Sequence, residues 1–165
     1  MNTNVSVAEK ARSADPSSNG SLAGAKSNGK STPTELSNIQ TVQKIYADFG
    51  QGNTQSILAS ISPEVEWCNA GPTAVPYARQ RRGIDEVGKF FAAVYAAVEV
   101  QSFEPKEFFA DGDRVVVLGA WSGRAKPTGK PFSSDWTMAW TVNAGKVTSF
   151  RSYEDTHAMA VAFGA

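Results

Sequence analysis

The chain has few of the residues that most often carry recognisable chemistry. It holds one cysteine, Cys68, and one histidine, His157, in 165 residues. A lone cysteine excludes an internal disulfide and a cysteine-based zinc site, and a single imidazole excludes a His-rich metal centre. Neither sign of charge is in excess, with 16 Lys and Arg against 16 Asp and Glu. No run of like charge forms a basic stripe, which argues against nucleic acid or an anionic membrane as a partner. No apolar run approaches the ~20 residues of a membrane span. Met1 to Arg12 lacks the ~7–15-residue apolar stretch of a signal peptide. The expectation is a soluble, cytoplasmic protein.

Large apolar side chains are also missing from residues 1–33, where Val5, Val7 and Leu22 are the only branched apolar residues. Such a segment cannot bury enough surface to offset its ordering entropy. Residues 1–33 therefore read as a disordered tail, and 34–165 as one folded domain.

Within that domain the apolar spacing changes from helical to alternating. Leu36, Ile39, Val42, Tyr46 and Phe49 recur at three and four, which predicts an amphipathic helix capped by Thr34 and stopped at Gly50 or Gly52. Asn53 opens a second, short helix through Ile57, Leu58 and Ile61, ended by Ser62-Pro63. Val65-Glu66-Trp67 reads as a short strand and 69–82, with Gly71, Pro72 and Pro76, as a long loop. Gly83 opens a helix with Asp85 and Glu86 in its first turn, where acids suit the dipole. Its buried stripe is Ile84, Val87, Phe91, Val94 and Val98. Four strands follow, at about 99–109, 114–124, 132–142 and 146–155, joined by hairpin signals at Asp111-Gly112-Asp113 and Asn143-Ala144-Gly145. A last helix covers 156–163. Hairpin-linked strands make an antiparallel meander, and helices clustered before them belong on one face, so the class is α+β.

Candidate chemistry centres on Asp155, at the end of the last strand. It reads either as the N-cap of the terminal helix or as a general base whose pKa a dry pocket would raise. Arg151 and Tyr153 share its parity, so an inward Asp155 brings a phenol and a guanidinium with it, as pocket groups or as a cross-strand salt bridge. His157, in the first turn of the terminal helix, is either an acid–base partner of Asp155 or an idle surface residue. Asp135 lies opposite the apolar face of Trp136, Met138, Trp140 and Val142. Trp67, Tyr77, Tyr95, Trp121, Trp136 and Trp140 serve either as core packing or as a pocket wall. Tyr46 on the first helix's core stripe needs a buried partner for its hydroxyl. Cys68 reads as a buried, inert thiol. Arg79-Gln80-Arg81-Arg82, before a helix N-terminus, is either an anion-docking run or a solvated loop.

The order of elements, together with Val65-Glu66-Trp67, Asn69-Ala70-Gly71-Pro72, Arg82-Gly83, Val115-Val116-Val117-Leu118-Gly119, Gly145-Lys146-Val147 and Tyr153-Glu154-Asp155-Thr156, resembles the nuclear transport factor 2-like (NTF2-like) superfamily. The resemblance is to its SnoaL-like, ketosteroid-isomerase-related branch, and covers roughly Thr34 to Phe163. It implies a cone: a curved antiparallel sheet with the N-terminal helices on its concave face. It also implies a largely apolar pocket, a homodimer through the outer sheet face, and no metal or organic cofactor. By the same resemblance Asp155 matches the catalytic acid of SnoaL-like cyclases, with Tyr153 and His157 beside it. Tyr46, Trp67, Tyr95, Trp121, Trp136 and Arg151 are the expected substrate-binding residues. The ketosteroid isomerase set falls here on Ile45, Trp67 and Met138, and the last-strand acid of limonene-type epoxide hydrolases on Ser152, so neither of those mechanisms carries over. The expectation is a pocket for a small apolar carbonyl compound. It serves either a cofactor-free isomerase or cyclase with Asp155 as base, or a non-catalytic binder or dimerisation module.

Overall fold

The structure, a computed structural model, describes residues 31–165. The disorder expected of 1–33 falls outside them, except at the last three positions, where a helix is already being set up. Thr32 rather than Thr34 is the N-cap of α1 (Pro33–Gly50). Its hydroxyl accepts from Glu35 N–H while the Glu35 carboxylate accepts from Thr32 N–H, a reciprocal capping box with Pro33 in the first turn. The core stripe of α1 is Ile39, Val42, Ile45 and Tyr46, and Leu36 is 47% exposed rather than part of it.

Asn53 caps α2 (Thr54–Ala59) as its spacing implies. Strand β1 (Ile61–Asn69) is longer than its three-residue signal and takes Ile61 and Pro63 from the expected helix. The stretch read as a loop contains a short strand, β2 (Gln80–Arg82), before α3 (Ile84–Ala97). The meander is β3 (Val98–Asp111), β4 (Arg114–Ala125), β5 (Pro131–Asn143) and β6 (Lys146–Glu154), and α4 (Thr156–Phe163) closes the chain.

The six strands form one sheet in the order β2-β1-β6-β5-β4-β3. Every pairing is antiparallel except β1–β6, which is parallel, so the sheet is mixed at that seam. Parallel neighbours need a long crossover, and α3 with the whole meander supplies it. Register shifts between Val100 and Ser102 and between Pro105 and Glu107 bend β3. The sheet curls without closing, and α1 and α3 cover its concave face: an α+β cone.

Gly119 shows how tightly the inner wall is built. A Cβ there would lie 2.1 Å from Trp136 Cζ2 and 2.6 Å from the Glu104 carbonyl oxygen. The missing side chain is what lets the Trp136 indole lie flat across the neighbouring strand.

Candidate functional site

The concave face and the two covering helices enclose a cavity of about 70 Å³. Ile45, Tyr46 and Phe49 of α1 and Phe90, Phe91 and Val94 of α3 form one side. Inward residues of the sheet form the other: Trp67, Phe103, Trp121, Trp136, Met138, Trp140 and Phe150. The rings interlock. Trp67 stacks on Phe150 with centroids 4.0 Å apart, and Phe103 on Trp136 at 5.1 Å. Of the expected binding residues, Tyr46, Trp67, Trp121 and Trp136 do line the cavity. Tyr95 does not: it stacks on Phe49, 5.9 Å away, behind the wall.

The polar groups of this wall differ from those expected. Asp155 is exposed and caps α4, its Oδ1 accepting from Ala158 N–H at 2.9 Å. Tyr153 is 53% exposed on the outer face, with the Arg151 guanidinium 6.0 Å from its ring, and His157 lies exposed on α4. None of these four lines the cavity.

The physical cause is one extra residue. Val142 pairs with Val147, but Thr141 pairs with Ser149, so Thr148 is a bulge in β6. Counting by twos from buried Val147 sends Arg151, Tyr153 and Asp155 inward. The bulge reverses the parity, and Phe150, Ser152 and Glu154 face in instead.

Among the described residues, Glu154 is the only carboxylate lining the cavity. Its Oε2 accepts from Trp121 Nε1–H at 3.1 Å. Burial pushes its carboxyl up, to about 7, against the pull of the Trp121 hydrogen bond, and the charge of Asp155 adds to the rise. The Tyr77 phenol lies in the same wall with no hydrogen-bond partner among the described residues. Burial, and then the charge of Glu154, push it above its ordinary value. Trp136 Nε1–H is a second buried donor of this wall without an acceptor among the described residues. Tyr46 is saturated: its hydroxyl accepts from Trp140 Nε1–H at 3.0 Å and sits 3.4 Å from Met138 Sδ.

Tyr77 reaches the cavity because Arg81 holds its backbone. Arg81 is 4% exposed, donates to the Tyr77 carbonyl at 2.7 Å and lies 5.4 Å from the Phe90 ring. Arg79 pairs with Glu86 and Arg82 with Glu64, each at 3.2 Å. Arg79 and Arg82 thus keep the solvated side chains expected of the basic run, whereas Gln80–Arg82 is a strand rather than a loop and Arg81 is buried. Among the described residues no group of three His, Cys, Asp or Glu is placed to hold a metal ion, and no helix is long and apolar enough to cross a membrane.

The fold and the aromatic-lined cone define the class: an NTF2-like protein. The family model described as "SnoaL-like domain" matches residues 42–150, more than half of the chain, and the chain belongs to that family. An NTF2-like protein from Burkholderia xenovorans LB400 is 38% identical, with a TM-score of 0.73 over 82% of this chain and 100% of that one. An NTF2-like protein of unknown function from Burkholderia pseudomallei K96243 is 28% identical, with a TM-score of 0.72 over 78% and 98%. TerC, co-crystallised with polyporic acid, is 26% identical, with a TM-score of 0.69 over 78% and 99%. A sequence search of curated proteins found no match.

Proposed function

We propose that the chain binds a small, mostly apolar carbonyl compound in the cone and moves a proton on it, as an isomerase or cyclase does, with Glu154 as the acid–base group. The observation that carries this reading is a single carboxyl in an aromatic cavity, pushed up to about 7 by burial. A general base works best when its pKa lies near the working pH, and Glu154 meets that condition, whereas Asp155 is exposed and turned to the helix it caps. The Tyr77 hydroxyl and the Trp136 N–H add donors for an oxygen on which negative charge develops. Side chains supply all of this chemistry, so the reading calls on no cofactor. The relative co-crystallised with polyporic acid supports a small organic molecule as the ligand class.

The deciding experiment is a carboxyl-carbon NMR titration of Glu154 in the full chain. A midpoint near 7 is expected. A midpoint at the ordinary 4.5 would remove the base and leave a non-catalytic binding cavity.

The outer face supports self-association as a second part of the proposal. Leu118 and Tyr153 are large exposed side chains, each register-paired with Thr137 between them. They form an apolar row across the sheet, suited to a second copy of the chain.

A further inference from the structure

We propose that Ser152 donates the hydrogen bond that holds the ligand's carbonyl oxygen, and that Asn69 and Trp67 fix the direction of that donation. The inference rests on the reading above that a carbonyl compound occupies the cavity.

The argument begins with Trp67, whose indole N–H can only donate. It donates to Asn69 Oδ1 at 2.9 Å, and both residues are buried. The Asn69 amide is therefore oriented without ambiguity: oxygen toward Trp67, Nδ2 toward Ser152. Nδ2 donates to Ser152 Oγ at 2.9 Å. Ser152, 2% exposed, is thereby an acceptor in this bond, and its own proton must point elsewhere. Among the described residues no acceptor is paired with that proton, and both Ser152 and Asn69 line the cavity.

A buried hydroxyl without an acceptor costs free energy that a ligand oxygen can recover. Ser152 also stands two residues before Glu154 on the inward face of β6, roughly 6–7 Å along the strand. A carbonyl oxygen at Ser152 places the adjacent carbon toward Glu154. When the carboxylate takes the alpha proton, the electron pair moves onto the oxygen that Ser152 already holds, and the hydrogen bond strengthens. Tyr77 and Trp136 also lack partners among the described residues, but neither has a second residue there that fixes the sense of its hydrogen bond.

The test uses cyclopentanone, with cyclopentane as the counterpart that lacks an acceptor, binding to the full chain. Two readouts serve: affinity, and the carbonyl ¹³C shift of the bound ketone. Ser152→Ala removes the donor. Asn69→Asp is nearly isosteric, but its carboxylate accepts from both Trp67 and Ser152, which turns the serine proton away from the cavity. The expected result is roughly tenfold weaker ketone binding in both variants, about one hydrogen bond's worth. The hydrogen-bonded component of the ¹³C shift is lost, and cyclopentane binding is unchanged. If Asn69→Asp does not fold, Ser152→Ala decides alone. Ketone affinity and shift retained in Ser152→Ala would overturn the serine's role while leaving the cavity reading intact. Failure of the wild-type chain to bind either molecule would overturn both.

Discussion

Glu154 is where a single side chain sets the behaviour of the cavity. Its folded-state pKa is raised from 4.5 to about 7. Below pH 4.5 folded and unfolded chains both hold the proton. Between 4.5 and about 7 the folded chain keeps a proton that the unfolded chain releases, so stability falls as pH rises through that window and the full cost stands above it. The cost is at most about 3 kcal/mol, less the fraction relieved by residual solvent contact. Glu154→Gln keeps an acceptor for Trp121 and removes the charge. Urea denaturation should therefore show the variant about 2 kcal/mol more stable than the parent at pH 8 and nearly equal to it at pH 4. Equal stability at both pH values would mean that the carboxyl is not desolvated. Gly119 makes the opposite point, since its value lies in having no side chain. Gly119→Ala should lose about 2–3 kcal/mol by overpacking and change the tryptophan fluorescence, because the Trp136 ring must leave its place. An unchanged emission spectrum would show that the wall absorbs the methyl group.

At the scale of elements, the junction of β6 and α4 divides two neighbouring acids between two jobs. Asp155 belongs to the helix, Glu154 to the sheet. Asp155→Ala should cost about 1 kcal/mol through the lost cap. It should also lower the Glu154 pKa, since the charge of Asp155 contributes to its rise; NMR titration of Glu154 in the variant checks the direction. This division was only partly legible in the sequence. The capping role of Asp155 follows from its place before a helical pattern. The inward acid was missed because the bulge at Thr148 leaves no clear mark in the residues around it. The start of α1 was readable: Thr32, Pro33 and Glu35 spell a capping box, and Thr34 is the weaker choice because it lacks the acid three residues on. Asn69 carried no signal for the site, Tyr77 stood only among the aromatics of core or pocket wall, and Ser152 only where an epoxide hydrolase has its last-strand acid. A serine, an asparagine and a loop tyrosine acquire chemistry only from what they face.

For the whole molecule, the sheet divides space into an aromatic-lined concave side and an outer side. If the outer row of Leu118 and Tyr153 joins two copies, analytical ultracentrifugation should give a dimer. Tyr153→Lys should shift it toward monomer by at least tenfold in dissociation constant, since a buried unpaired ammonium opposes association. A monomeric parent would assign this face to solvent.

The sequence by itself determined the family, the order of the helices and of every strand but β2, the aromatic identity of the inner wall and the outward placement of Asp135. The family follows from the resemblance of its motifs, and the rest from local periodicity, turn chemistry and composition. Only the tertiary structure decided which acid enters the cavity, the parallel seam between β1 and β6, and the relay from Trp67 through Asn69 to Ser152. The physical reason is range. Periodicity propagates along a strand until one inserted residue reverses it, and a carboxyl's pKa or a hydroxyl's direction is set by groups that lie far away in the chain and meet only in the folded cone.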